Sequence, residues 1–376
     1  MTRRAGTRAR AGWPALLAVL TIVPGVASVA FPGTARAAAP TTVCQIRDER
    51  LTEISGMVAT DSGFVLVNDG SDEASRRRIF FLDARCAVVR TVAFPSRPRD
   101  TEDLAVGADG TIWVADIGDN DRTRSTVALW KLAPGARRPV LHRLTYPDGP
   151  HDAEALLLGG DGRPVVVTKQ GGEAGLYAPT GPLRAAATVP LTRAGQLRLP
   201  GTTTANPYSF FGRRLVTGGA TAPDGRRVVL RTYADAFEFD VTDGDVVAAL
   251  TGGTPRGVAL PDEPQGESIT YSRDGRSLLT VSETAGQPPG TRPTVLRYAR
   301  PQPSATPSPA GSSPSAGSPP APAVSDGSPS APDATAADPR AGGGGVRSLL
   351  LGIGGIGVGL LMIALVAVGR ARRTRR

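Results

Sequence analysis

An Asp-Gly pair recurs through the middle of the chain at a fixed offset, and it constrains the fold more than any other feature. It stands seven residues after the first position of four aligned segments beginning at Glu102, Glu154, Thr217 and Glu267. The pairs are Asp109-Gly110, Asp161-Gly162, Asp224-Gly225 and Asp274-Gly275. A looser copy begins at Glu53 and turns at Asp61-Ser-Gly63. Short apolar runs flank each turn, as in Ile112-Trp-Val-Ala115 and Val228-Val-Leu230. Asp-Gly between apolar runs signals a tight hairpin, because glycine accepts the positive φ that such turns require.

The copies start 49, 52, 63 and 50 residues apart. Further apolar runs follow, among them Ile79–Leu82 with Val88–Ala93 and Thr126–Trp130 with Leu141–Thr145. Helix signals are scarce. Four short strands per unit of about fifty residues is the period of a propeller blade. The expected fold is therefore all-β, a five-bladed β-propeller of four-stranded antiparallel blades over 42–300. Six blades, with 184–211 as a degenerate blade, is the other count the spacing allows. The 63-residue interval is assigned to an insertion, Arg193–Phe211, read as a loop.

The last copy supplies three strands, at 267–271, 277–281 and 294–298, and Cys44–Arg47 is expected to complete it. That closure joins the two ends of the domain and leaves no long unpaired edge. It also brings Cys44 beside Cys86, in the turn between the third and fourth strands of the first copy. In an oxidising compartment two such thiols read as a disulfide, with two separate thiols as the alternative. No Cys/His spacing suggests zinc.

The compartment follows from the ends. Residues 1–37 read as a signal peptide: Arg3, Arg4, Arg8 and Arg10, then a largely apolar run, then Ala35-Arg36-Ala37. An uncleaved anchor is the alternative. Ser348–Gly369 carries no charge over 22 residues, so 346–369 is expected to be a transmembrane helix. The arginine-rich 370–376 tail places the C-terminus in the cytoplasm and the rest outside. Residues 301–345, nearly all Pro, Ser, Ala, Gly, Thr and Asp, are expected to form a disordered stalk. The net charge of +9 arises at the ends, where eleven arginines meet no acid; between them stand 32 basic and 34 acidic residues. The basic pI therefore gives no support to nucleic-acid binding.

Glu53-Ile-Ser-Gly-Met with Val67-Asn-Asp69, Asp100-x-Glu-Asp-Leu-Ala105 with Asp116-Ile-Gly-Asp119, and Asp152-Ala-Glu-Ala155 carry a family resemblance. Over most of 42–300 the chain resembles secreted bacterial propellers of the phytase-like, esterase-like and SdiA-regulated kinds, with NHL and WD40-like propellers more distant. Such motifs specify fold better than activity. The resemblance implies metal-assisted hydrolysis of phosphate or ester bonds, although a complete signature for it is absent.

Equivalent positions in a propeller ring the central channel. Glu53, Glu102, Glu154 and Glu267 occupy one such position, and Asn68, Asp69, Asp116, Asp119, Lys169, Arg231 and Glu283 lie at the ends of the second strands. If inner and second strands are antiparallel, both sets face one mouth. Converging carboxylates suit Ca²⁺, which takes oxygen ligands in flexible geometry, and Glu53, Asp69, Glu102, Glu154 and Glu267 are the candidate metal ligands. The competing reading is a lock in which each Glu only bonds its neighbouring blade. Lys169, Arg231 and Glu283 break the repeat and are the catalytic candidates. Asp100, Asp103, Asp116 and Asp119, particular to one blade, are the ligand-binding candidates. His142 and His151 read as surface residues, and Trp113 and Trp130 as core between blades. No GxSxG, HExxH or phosphate-binding glycine loop occurs in the globular part. The leading functional expectation is a surface module, anchored through its C-terminal helix, that binds an extracellular ligand or protein. The alternative is a Ca²⁺-dependent hydrolase of phosphate or carboxylate esters.

Overall fold

A computed structural model describes residues 39–261 and 263–300. Twenty strands and two short helices follow one another as β1 (Thr41–Gln45), β2 (Ile54–Thr60), β3 (Gly63–Asn68), β4 (Arg78–Asp83), β5 (Val88–Ala93), β6 (Asp103–Val106), β7 (Ile112–Asp116), β8 (Val127–Leu132), β9 (Val140–Thr145), β10 (Ala153–Leu158), β11 (Pro164–Thr168), β12 (Ala174–Pro179), β13 (Thr188–Leu197), α1 (Ser209–Gly212), β14 (Gly218–Thr221), β15 (Arg227–Arg231), β16 (Asp235–Asp240), α2 (Val246–Gly252), β17 (Arg256–Ala259), β18 (Gly266–Tyr271), β19 (Ser277–Ser282) and β20 (Thr294–Ala299).

The strands pair as antiparallel meanders. β2–β5 and β14–β17 are separate four-stranded sheets, and β18–β20 gains β1 as its fourth strand. β6–β9 and β10–β13 join into one eight-stranded sheet, because the start of β13 runs parallel to β9 through Thr188–Pro190. Each repeated turn is built the same way. Gly110, Gly162, Gly225 and Gly275 have φ between 67° and 78°. The preceding Asp carboxylate accepts the backbone N–H two residues on, at 2.9, 2.9, 3.0 and 3.1 Å. The Asp caps the turn that the Gly permits.

The core explains why the inner strands are apolar on both faces. In β3, Phe64 and Leu66 pack toward β19 and β20, whereas Val65 and Val67 pack toward β7 and β8. In β11, Val165 and Val167 face β15 and β16, whereas Val166 faces the β6–β9 unit. Alternate residues of one strand thus serve two neighbours. Apolar clusters fill the gaps between successive groups of strands, and one of them packs β19 and β20 against β2–β4. The architecture is all-β and propeller-like. Trp130 lies between the first and second units and Trp113 between the second and third, as expected of core residues.

Cys44 and Cys86 form the expected disulfide, with Cα atoms 6.0 Å apart. It ties β1 to the β4–β5 turn at the seam where the chain's ends meet.

Some expectations are corrected. Residues 193–197 are not loop but the end of β13, paired with β12, so the irregular insertion starts at Arg198. His142 is not a surface residue: it is buried in β9 against Trp113, with ring centroids 6.4 Å apart. α2 had no apolar period long enough to announce it; Asp245 caps it by accepting from Ala248 N at 2.9 Å. The 1–37 leader, the 301–345 stalk, the 346–369 helix and the 370–376 tail lie outside the described residues. Among the described residues no helix is long and apolar enough to cross a membrane.

Candidate functional site: a carboxylate cluster at one mouth

Strand direction brings the site together. Ile54 pairs with Asn68, Ala153 with Thr168 and Gly266 with Ser282, so inner strands begin where second strands end. Carboxylates from both positions therefore meet at one mouth. Oxygens of Asp69, Asp100 and Glu102 lie within 4.8 Å of one another, and so do those of Glu102, Glu154 and Glu267. Glu102 is common to both groups. Gly118 makes the crowding possible: a Cβ there would stand 2.0 Å from Glu102 Oε1 and 2.6 Å from Asp100 Oδ2.

Glu102, Glu154, Glu267 and Glu283 are each at least 95% buried. Burial, and then Glu154, Asp69, Asp100 and Glu267 as neighbouring negative charges, push Glu102 well above the usual carboxylate range. Burial and the adjacent Glu267 and Asp69 do the same to Glu283. Asp100 is pushed up to about 8 by burial and by Asp69. Lys169 stands against them, its Nζ donating to Glu154 Oε1 at 2.6 Å. Burial favours its neutral amine, but Glu154, Tyr233 and Glu267 outweigh burial and keep it charged. The Nζ also lies 5.5 Å from the centroid of the Tyr233 ring.

Among the buried carboxylates of the described residues, two oxygens have no hydrogen-bond partner, Glu154 Oε2 and Glu283 Oε1. A buried carboxylate oxygen without a donor is costly. The donor set is all oxygen, with neither Cys nor His, which is the chemistry of a hard cation such as Ca²⁺. The residues present thus fit a divalent cation held by Asp69, Asp100, Glu102, Glu154 and Glu267.

Other candidates fall elsewhere. Glu53 lies 3.8 Å from Arg76 and is not among the converging oxygens. Asp103 is fully buried, and its carboxylate accepts from the N–H groups of Leu104, Leu156 and Gly219. Asp116 accepts from the N–H groups of Arg99 and Asp100, from Arg124 and from Trp130. Asp119 accepts from Thr123 N and Arg124 N. Asn68 donates to the carbonyls of Arg50 and Arg76. Arg231 is fully buried, pairs with Glu263 at 3.1 Å and donates to the Ser268 carbonyl, so its guanidinium is taken up within the scaffold. These side chains shape backbone. Asp116 holds the Arg99–Asp100 segment, which in turn carries Asp100 into the cluster.

Gln265, Tyr233 and Tyr208 join the site although no motif marks them. Gln265 Nε2 donates to Glu283 Oε2 at 2.5 Å and to Glu267 Oε1 at 3.4 Å. The Tyr233 hydroxyl donates to Glu267 Oε1 at 3.3 Å. For two of the three the signal is positional: Gln265 is two residues before a repeated Glu, and Tyr233 lies in the turn after a second strand.

No family model matches the chain, and no curated protein matches it. Among solved structures, a streptogramin B lyase is 14% identical with a TM-score of 0.33, over 66% of this chain and 65% of that one, less than two thirds of its length. A gluconolactonase of Xanthomonas campestris is 14% identical with a TM-score of 0.38, over 66% of this chain and 73% of that one. The PQQ-bound aldose sugar dehydrogenase of Streptomyces coelicolor is 12% identical with a TM-score of 0.38, over 69% and 97%. At these scores the likeness carries no argument about this chain.

Proposed function

We propose that the chain is an exported five-bladed propeller, anchored by residues 346–369, that binds a divalent cation at one mouth. Through that cation it binds an extracellular ligand bearing oxygen donors. The cation is Ca²⁺ by the chemistry of the ligands, with Asp69, Asp100, Glu102, Glu154 and Glu267 as its holders. One observation carries the reading: buried carboxylates converge, and Glu154 Oε2 has no donor. A blade lock alone would leave each Glu satisfied by its neighbours.

Thermal melting with and without Ca²⁺ tests this. The unmodified protein is expected to gain stability with Ca²⁺, because a ligand bound only by the folded state stabilises it. Glu102→Gln should keep the fold and lose the gain. Asp116→Asn should melt lower and keep only part of the gain, because Asp116 holds the backbone that carries Asp100 into the cluster. A wild-type melt that ignores Ca²⁺ defeats the reading.

Lys169 favours a second reading. It is the repeat-breaking cation in the ring and sits beside the cluster with its side chain 15% exposed. A bound Ca²⁺ would polarise a substrate oxygen as a Lewis acid, and Lys169 would hold negative charge beside it. Ca²⁺-dependent cleavage of phosphate or carboxylate esters, lost in Lys169→Met, would establish it.

A further inference from the structure

The connection from β13 to β14 is out of scale with its counterparts. Residues 198–217 number 20, whereas 94–102, 146–152 and 260–265 number 9, 7 and 6. By strand direction all four connections lie at the mouth that holds the carboxylates. The long one is strapped down there. The hydroxyls of Thr202 and Thr204 donate to the two oxygens of Asp235 at 2.5 and 2.6 Å. The Tyr208 ring lies 4.3 Å from the Tyr233 ring, and its hydroxyl donates to Gln265 Oε1 at 3.0 Å.

Gln265 is the link to the cluster. Its Oε1 accepts from the insertion, while its Nε2 donates to Glu283 and Glu267. We propose that Tyr208 and Gln265 form a latch that couples the 198–217 insertion to cation occupancy of the carboxylate cluster. This rests on the cation reading above. A side-chain amide has one donor end and one acceptor end. With carboxylates bare, the donor end faces them. A divalent cation at Glu267 repels that NH₂ group and attracts the carbonyl, since Gln carbonyls are ordinary Ca²⁺ ligands. The amide turns, the Tyr208 hydroxyl loses this acceptor, and the insertion loosens at the rim. Linkage makes the effect reciprocal: a closed latch opposes the cation, and removing the latch strengthens cation binding.

Hydrogen exchange of the full chain in chelator and in Ca²⁺, with calorimetric Ca²⁺ titration, tests the latch. Tyr208→Phe keeps the ring against Tyr233 and removes only the hydroxyl. In wild type, Ca²⁺ is expected to reduce protection across 198–217. In Tyr208→Phe that protection should already be lost in chelator, and Ca²⁺ affinity should rise roughly fivefold, the equivalent of one net hydrogen bond. If wild type binds Ca²⁺ but exchange in the insertion is unmoved, or if Tyr208→Phe binds Ca²⁺ as wild type does, the latch is wrong and the cation reading survives. If wild type takes up no Ca²⁺ by calorimetry, both fall.

Discussion

Asp103 Oδ2 in β6 accepts the backbone N–H of Leu156 in β10 at 2.8 Å, so one carboxylate bridges the first strands of two successive units. It also takes the N–H of Gly219 in β14 at 3.3 Å. Three four-strand units are thereby held by a single side chain. Gly56 on β2 completes the close approach, for a Cβ there would lie 2.8 Å from the Asp103 carbonyl carbon.

Replacing Asp103 with Ala leaves buried N–H groups of three strands without an acceptor. The loss is expected to be about 3 kcal/mol or more, since each stranded buried donor costs about 1–3 kcal/mol. Denaturant midpoints check this. An unchanged midpoint would remove Asp103 from the scaffold.

Gly118→Ala is expected to behave differently. The added methyl would strike the tips of Glu102 and Asp100, which can swing aside, rather than backbone. The fold should persist while Ca²⁺ affinity falls by roughly tenfold, the scale on which disturbed ligand orientation acts. Calorimetry beside a thermal melt separates the two effects.

Arg231→Met would break a fully buried ion pair and leave the Glu263 charge uncompensated. The expected cost is about 3–5 kcal/mol. A catalytic Arg231 would instead lose activity with stability intact, so a melt distinguishes scaffold from site.

Breaking the Cys44–Cys86 bridge with the double Ser variant frees a separation of 42 residues. The expected loss is on the order of 4 kcal/mol by the chain-entropy account. Chemical denaturation with and without reductant measures it, and only the wild type should respond to reductant.

Metal-free protein should weaken as pH rises. Asp100 titrates near 8 when folded against an ordinary 3.8, so between those values the folded chain holds a proton that the unfolded chain has released. Stability from this group is full below about pH 4 and is lost as pH climbs toward about 8. Melts in chelator across that range should show the decline, and saturating Ca²⁺ should flatten it.

The sequence made the repeat legible because Asp-Gly turns are local: the capping Asp and the left-handed Gly need no tertiary partner. Ring closure through β1 and the disulfide followed from counting strands. The cluster was half legible. Glu102, Glu154 and Glu267 share a repeat position and do converge, whereas Glu53 holds that position and pairs with Arg76 instead. Asp103, Asp116 and Arg231 have the residue types of a site, and what separates them from it is the set of backbone donors and the buried Glu263 around them. Those partners lie up to 116 residues away in the chain, as Gly219 does from Asp103. Spacing within one copy cannot reveal them. His142 was misplaced for a related reason, since an outer strand is exposed on average but this side chain turns against Trp113.

The most direct test of the central claim is a calorimetric Ca²⁺ titration of the chelator-treated full chain beside Glu154→Gln. The account predicts saturable Ca²⁺ binding in wild type that Glu154→Gln abolishes or weakens by at least about tenfold. A wild-type titration with no binding heat and no accompanying rise in melting temperature would contradict it.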